Sequence, residues 1–265
     1  MRSRAVVVGV AALALACAPA LREPPALAPP PPATRVGADE LLRRGDAAWA
    51  RRADPAEAAA AQALYEQAAS ADEQQVDGLL GAMRAVGWRI EREKDGAARE
   101  RLAVHAVELG QHCQRRAPAS PACAYRLAIA LGQQTRERTS TAKDALARMV
   151  KLLRDAIAAD PRLDRAGPHR VLALVLLRAP GWPVGPGDPE EGLHEARAAA
   201  ELFPDDAENQ LALGEALAAN GHGPEARAAL ERAIGLAQRD EAAGDPDAAR
   251  VREDAAAASG RIDRG

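Results

Sequence analysis

Cys113 and Cys123 stand ten residues apart, one closing a predicted helix and the other opening the next across a proline-containing turn. In an oxidising compartment two thiols so placed suggest a disulfide. Closing so short a loop stabilises by about 2–3 kcal/mol on the chain-entropy account; the alternative is a pair of buried free thiols. His105 and His112 lie beside Cys113, but seven helical residues span about 10.5 Å, too far for both rings to reach one zinc ion at about 2 Å. No metal site is expected, and both rings belong at the polar edge of their helix. Arg170 and Arg178 flank the apolar run VLALVLL and converge on Trp182. A guanidinium fork there suits a carboxylate; the competing role is an ion pair with Asp188 or Glu190. There is no G-x-S-x-G, no H-E-x-x-H and no phosphate loop, and GPGD at 185–188 is a turn signal. Carboxylates alternate with arginines at helical spacing, as on solvated faces. We therefore expect no enzyme, no catalytic residue and no cofactor.

These residues need elements to hold them, and the clearest is 207–238. Leu213, Gly214 and Leu217 share a face of one helix, and Ala226, Leu230 and Ala233 recur at three-to-four spacing in the next. Gly214 and Ala226 allow close approach while Leu217 and Leu230 fill the space beside them. Asn220-Gly221 ends the first helix, and Pro224 suits the first turn of the second. The pattern Leu, Gly, Leu, Ala, Leu, Ala within a unit of ~34 residues resembles a tetratricopeptide repeat. That resemblance implies an all-α, right-handed α-solenoid, since one hairpin cannot bury its face alone.

Further hairpins follow from helical periodicity. Residues 38–72 place Gly45, Ala61, Tyr65 and Ala68 at repeat positions, with Trp49 expected to cover the open end of the stack. Residues 74–117 are looser. A third unit runs from Ala122 to Pro161, and its first helix, rich in Leu127, Ile129 and Leu131, is expected to be central. The fourth, Gly167 to Pro204, carries an irregular loop, Ala179 to Pro189, with four prolines and three glycines, and ordered loops on rigid scaffolds tend to hold function. About five degenerate hairpins thus fill 37–239, and 240–265 reads as a polar tail, a frayed helix or disordered. Aromatic residues make up 2% of the chain, which argues against sheet and for small-residue helix packing.

The N-terminus reads as an address. Arg2 and Arg4 precede an apolar run too short to cross a membrane. Residues 13–17, Leu-Ala-Leu-Ala-Cys, resemble a bacterial lipobox, making 1–16 a signal peptide and Cys17 the lipidated residue; ordinary cleavage at an Ala-x-Ala site is the alternative. Residues 17–36 are proline-rich and read as an extended tether. Losing Arg2 and Arg4 takes the formal net charge from −3 to −5, so nucleic acid is not an expected partner.

The lipobox, proline spacer and hairpins, together with Gly167, Pro168, Arg170 and the loop Ala179-Pro180-Gly181-Trp182-Pro183, are similar to the T component of TRAP-type solute transporters. The resemblance covers about 38–238. It implies a periplasmic lipoprotein, anchored to the cell envelope, that docks a TRAP-type solute-binding protein and holds a small solute, some members forming trimers. His169, Arg170, Arg178 and Trp182 are the solute- or partner-binding residues it suggests. A scaffold lipoprotein for envelope assembly, with no solute, is the rival reading.

Overall fold

Several helix starts are written as a polar residue followed by proline: Asp54-Pro55, Ser120-Pro121 and Asp188-Pro189. Each polar side chain accepts a hydrogen bond from a first-turn N–H, and each proline sits where an N–H would lack a helical partner. Asp95 and Asp206 cap in the same way without proline. The computed structural model describes residues 21–27 and 36–262. Among them are eleven α-helices and no strand: α1 Ala38–Ala50, α2 Pro55–Ala71, α3 Asp77–Ile90, α4 Gly96–Arg116, α5 Pro121–Glu137, α6 Ala142–Ala159, α7 Leu163–Arg178, α8 Pro189–Leu202, α9 Ala207–Ala219, α10 Gly223–Ala242 and α11 Ala248–Ile262.

Successive helices pair into five hairpins, and α11 closes the stack. Among the described residues the odd-numbered helices also touch one another, α1 to α3 and onward to α9 with α11, whereas no two even-numbered helices do. The odd helices therefore line the concave layer of an α-solenoid and the even ones its outside. Small residues permit this. The Tyr65 ring lies across Gly45 and Gly81, where an added Cβ would come within 2.7 and 2.6 Å of it, so one aromatic on α2 wedges α1 against α3. At the other end Leu230 fills the space over Gly214. Leu109, Leu131, Leu153 and Leu172 are fully buried, each contributing roughly 1.5–3 kcal/mol relative to exposure. Helix α5 is central, packing on α3, α4, α6 and α7.

Four expectations change. The tail is not frayed: α11 buries Val251, Ala255 and Ala258 against α10, because small residues at helical spacing give even this polar segment an apolar stripe. Trp49 does not cap an outer end; it meets Trp88 edge-on at 6.4 Å. The proline-rich segment is no free spacer over its described part, since 21–27 lie against α4. And α7 opens with three non-glycine residues in the left-handed region, Asp164, Arg165 and Ala166, before the regular helix from Gly167.

Candidate functional site

His169 and Arg170 leave the first regular turn of α7 and point into the protein. Asn209, fully buried near the start of α9, is the hub. Its Oδ1 accepts from Arg170 Nη1 at 2.7 Å, and its Nδ2 donates to the carbonyls of Arg165 at 3.0 Å and Ala199 at 3.2 Å. Arg170 Nη2 meets Glu208 at 2.9 Å, and Arg165 Nε meets Asp206 Oδ2 at 2.8 Å. Burial opposes the charge on Arg170, but the Glu208 and Asp206 carboxylates outweigh it and hold the guanidinium above its ordinary range. His169 Nδ1 donates to Glu195 at 2.5 Å. This network pins a turn whose φ values of 48°, 53° and 63° cost about 1–2 kcal/mol per residue. The work of His169 and Arg170 in this geometry is to hold α7 against α8 and α9.

Arg178 and Trp182 lie at the other end of α7, in solvent. Trp182 is 90% and Val184 66% exposed, and these are the large hydrophobic side chains standing exposed among the described residues. Their loop is well tied: Gly187 N donates to Pro180 O at 2.8 Å, Gly185 N to Gly181 O at 3.1 Å, and Asp188 N to Leu176 O at 3.0 Å. At position 187 only glycine fits, since a Cβ there would lie 2.1 Å from the Ala179 carbonyl oxygen. A cis peptide joins Trp182 to Pro183. The sequence thus builds a fixed mount and places an unburied indole on its tip.

Two open cavities mark the concave layer. One, of about 440 Å³, is walled by Asp46, Tyr65, Asp77, Arg84, Tyr125 and Arg126. The Tyr65 hydroxyl donates to Asp46 at 2.6 Å and accepts from Arg84 at 3.1 Å; burial, reinforced by the Asp46 carboxylate, pushes it up to about 12. The other, of about 500 Å³, lies between α7, α9 and α11 and mixes Leu177, Ala218 and Ile262 with a charged triad. Glu215 sits between Arg178 at 2.7 Å and Arg261 at 3.4 Å.

The solenoid curls far enough for its ends to meet. Asp247, in the α10–α11 turn, accepts from Trp88 Nε1 at 2.9 Å and pairs with Arg92 at 2.6 Å and Arg52 at 3.0 Å. Burial disfavours its charge, but Arg52 and Trp88 more than compensate, holding the carboxyl below its usual range. Arg92 stacks over Trp88 at 3.7 Å and Arg52 over Trp49 at 4.8 Å.

The solved structure of TTC0263, a thermophilic TPR protein in Thermus thermophilus, matches this architecture with a TM-score of 0.62 over 84% of this chain and 98% of that one, at 22% identity. The fold is that of a tetratricopeptide-repeat (TPR) protein. Yeast Tom70 gives a TM-score of 0.52 over 85% of this chain and 40% of its own, at 16% identity. No family model and no curated protein matches the chain.

Within this TPR frame the sulfur atoms of Cys113 and Cys123 are joined at 1.95 Å, tying the end of α4 to the start of α5. Cys17 lies outside the described residues. Among the described residues no group of three or more His, Cys, Asp or Glu side chains is placed to hold a metal ion, and no helix is long and apolar enough to cross a membrane. Two residues that matter escaped the sequence reading. Asn209 left a faint signal, as one of two asparagines in the chain. Asp247 left none, because its partners lie 155 to 195 residues away.

Proposed function

We propose that this chain is a periplasmic TPR lipoprotein, held to the cell envelope through Cys17, that serves as the accessory T component of a TRAP-type uptake system. Its task is to dock the soluble solute-binding protein. The observation that carries this reading is Trp182, 90% exposed on a loop whose backbone is hydrogen-bonded to itself and to α7. An indole on a fixed mount loses little entropy when covered, which is why tryptophan is enriched among the residues that dominate interface energies. Arg178, four residues earlier, brings charge to the same edge. The cavity it borders lies within the range of about 300–1,000 Å³ used by small-molecule sites, and Arg178 with Arg261 supplies cations for an organic acid. His169 and Arg170 hold the opposite end of α7 against α8 and α9.

The test is to crosslink the native envelope, recover the tagged lipoprotein in mild detergent and identify its companions by mass spectrometry. A solute-binding protein of the TRAP type should co-purify, and Trp182→Ser should lose it with helicity unchanged. Recovery of outer-membrane or wall-assembly proteins alone would move the chain to the rival class, a scaffold with no solute. The Arg84–Asp46 ion pair in the wall of the first cavity favours that second reading.

A further inference from the structure

Residues 21–27 carry contacts that a spacer does not need. Gln111 Nε2 donates to the carbonyl of Arg22 at 2.7 Å, and His112 Nε2 donates to that of Pro25 at 2.8 Å. The other ring nitrogen of His112 accepts from Arg115 at 3.0 Å, and Arg115 also pairs with Glu23. Pro24 is buried, and Leu21 and Leu27 pack against the main core. Three polar side chains on the last turns of α4 therefore grip an extended peptide, two of them by its carbonyls, while Pro24 and the two leucines turn inward and Pro25 stays exposed. This is how grooves recognise proline-containing segments, whose stiff backbone loses little freedom on docking.

We infer that residues 21–27 are a strap, and that a chain lipidated at Cys17 is thereby held with the C-terminal end of α4 against the lipid surface. The orientation rests on the proposed lipid at Cys17; the strap itself does not. Four residues take the chain from Cys17 to Leu21, and at full extension they span no more than about 14 Å. A free tether from Cys17 to the start of α1 at Ala38 would let the solenoid roam to roughly 60 Å in polyproline geometry. The strap shortens that reach about fourfold and fixes which face looks at the membrane. It also leaves the Trp182 loop, two hairpins further along the chain than α4, free to meet a soluble partner.

The experiment uses the chain from Cys17 to Gly265, which contains every described residue and whose one thiol outside the disulfide is Cys17. That thiol is coupled to a maleimide lipid in vesicles of phosphatidylethanolamine and phosphatidylglycerol, and a dye is placed at Ala119 or, separately, at Glu225 through an unnatural amino acid. Energy transfer to a headgroup acceptor is then compared for the parent chain, for Pro24→Asp, which alters only the strap, and for Gln111→Ala with His112→Ala, which alters only the grip. Transfer from Ala119 should exceed that from Glu225 several-fold in the parent, and both variants should erase the difference with helicity unchanged. Equal transfer from the two sites in the parent, or a difference that survives both variants, would overturn the strap. Because the anchor is supplied chemically, neither result depends on native lipidation, which the mass of the native N-terminus decides on its own.

Discussion

Hairpins four and five are neighbours with the same helix packing, yet they solve their turns in opposite ways. In hairpin five, Asn220, Gly221 and His222 join α9 to α10, Gly221 takes φ 79°, and Leu230 settles over Gly214. Hairpin four enters through a left-handed run without glycine, buries an arginine, a histidine and the Glu195 carboxylate behind it, and joins its helices through a long loop that puts an indole in water. The strain at its entry persists because Asn209, Asp206 and Arg126 fix the turn from three sides. Hairpin four, pinned by Asp206 and Asn209 at the start of hairpin five, thus departs from the repeat at both ends, buried at its entry and exposed at its loop.

The seam between the two hairpins is where the contrast breaks most severely. Asn209→Leu strips a partner from the buried Arg170 guanidinium and removes the side-chain donor shared by the Arg165 and Ala199 carbonyls, and urea denaturation should show a loss of about 3 kcal/mol. Inside hairpin five, Gly214→Val drives a side chain into Leu230, whose nearest atoms would lie 2.6 Å from the new Cβ; thermal unfolding should report about 1–3 kcal/mol of overpacking. Hairpin four should answer in the opposite direction. Ala166→Gly removes the steric cost at φ 63° and should stabilise by about 1 kcal/mol in the same assay. At the loop tip, Trp182→Ser should change stability by less than about 0.5 kcal/mol while abolishing partner capture, which separates the mount from what it carries.

The smallest effects lie in hairpin two, as a pH control on both. Arginine–carboxylate pairs dominate hairpins four and five, whereas α4 carries two histidines of opposite sign. The Glu66 carboxylate, 2.8 Å away, holds His105 above its ordinary 6.5 against the cost of burial. Its stabilisation is therefore complete below that value and lost as pH rises through the raised one. Burial holds His112 below 6.5, with Arg115 and Arg116 adding to the shift while the Pro25 carbonyl and Glu108 oppose it. Its contribution, which includes the grip on the strap, is present above 6.5 and lost as pH falls. Thermal unfolding of His105→Gln and His112→Gln variants across a range of about pH 5 to 8 should show the parent's two slopes removed one at a time.

How much of this was legible in the sequence follows from the range of the interactions. Helical period, Asp-Pro and Ser-Pro starts, and the Gly–Leu alternation of 207–238 are local, so the hairpins stand where their residues put them. The irregularity of 179–189 was also readable, because proline and glycine act on their own backbone. Arg170 and His169 were marked as special, but whether they faced a solute or the interior depended on Asn209, Glu208 and Glu195, 26 to 39 residues distant. The docking of 21–27 and the Asp247 contacts join segments 87 or more residues apart, and no local pattern announces such a pairing. In the same way, small residues spaced for burial in α11 looked like an ordinary polar tail until α10 was beside them.

The most direct test places a photo-crosslinking amino acid at Trp182 on hairpin four and, in a separate chain, at the exposed Gln238 on hairpin five, then irradiates intact cells. One discrete adduct is expected from position 182, containing a periplasmic solute-binding protein, and none from position 238. Equal adducts from the two positions, or an adduct from 238 with none from 182, would contradict the claim that hairpin four presents the docking residue.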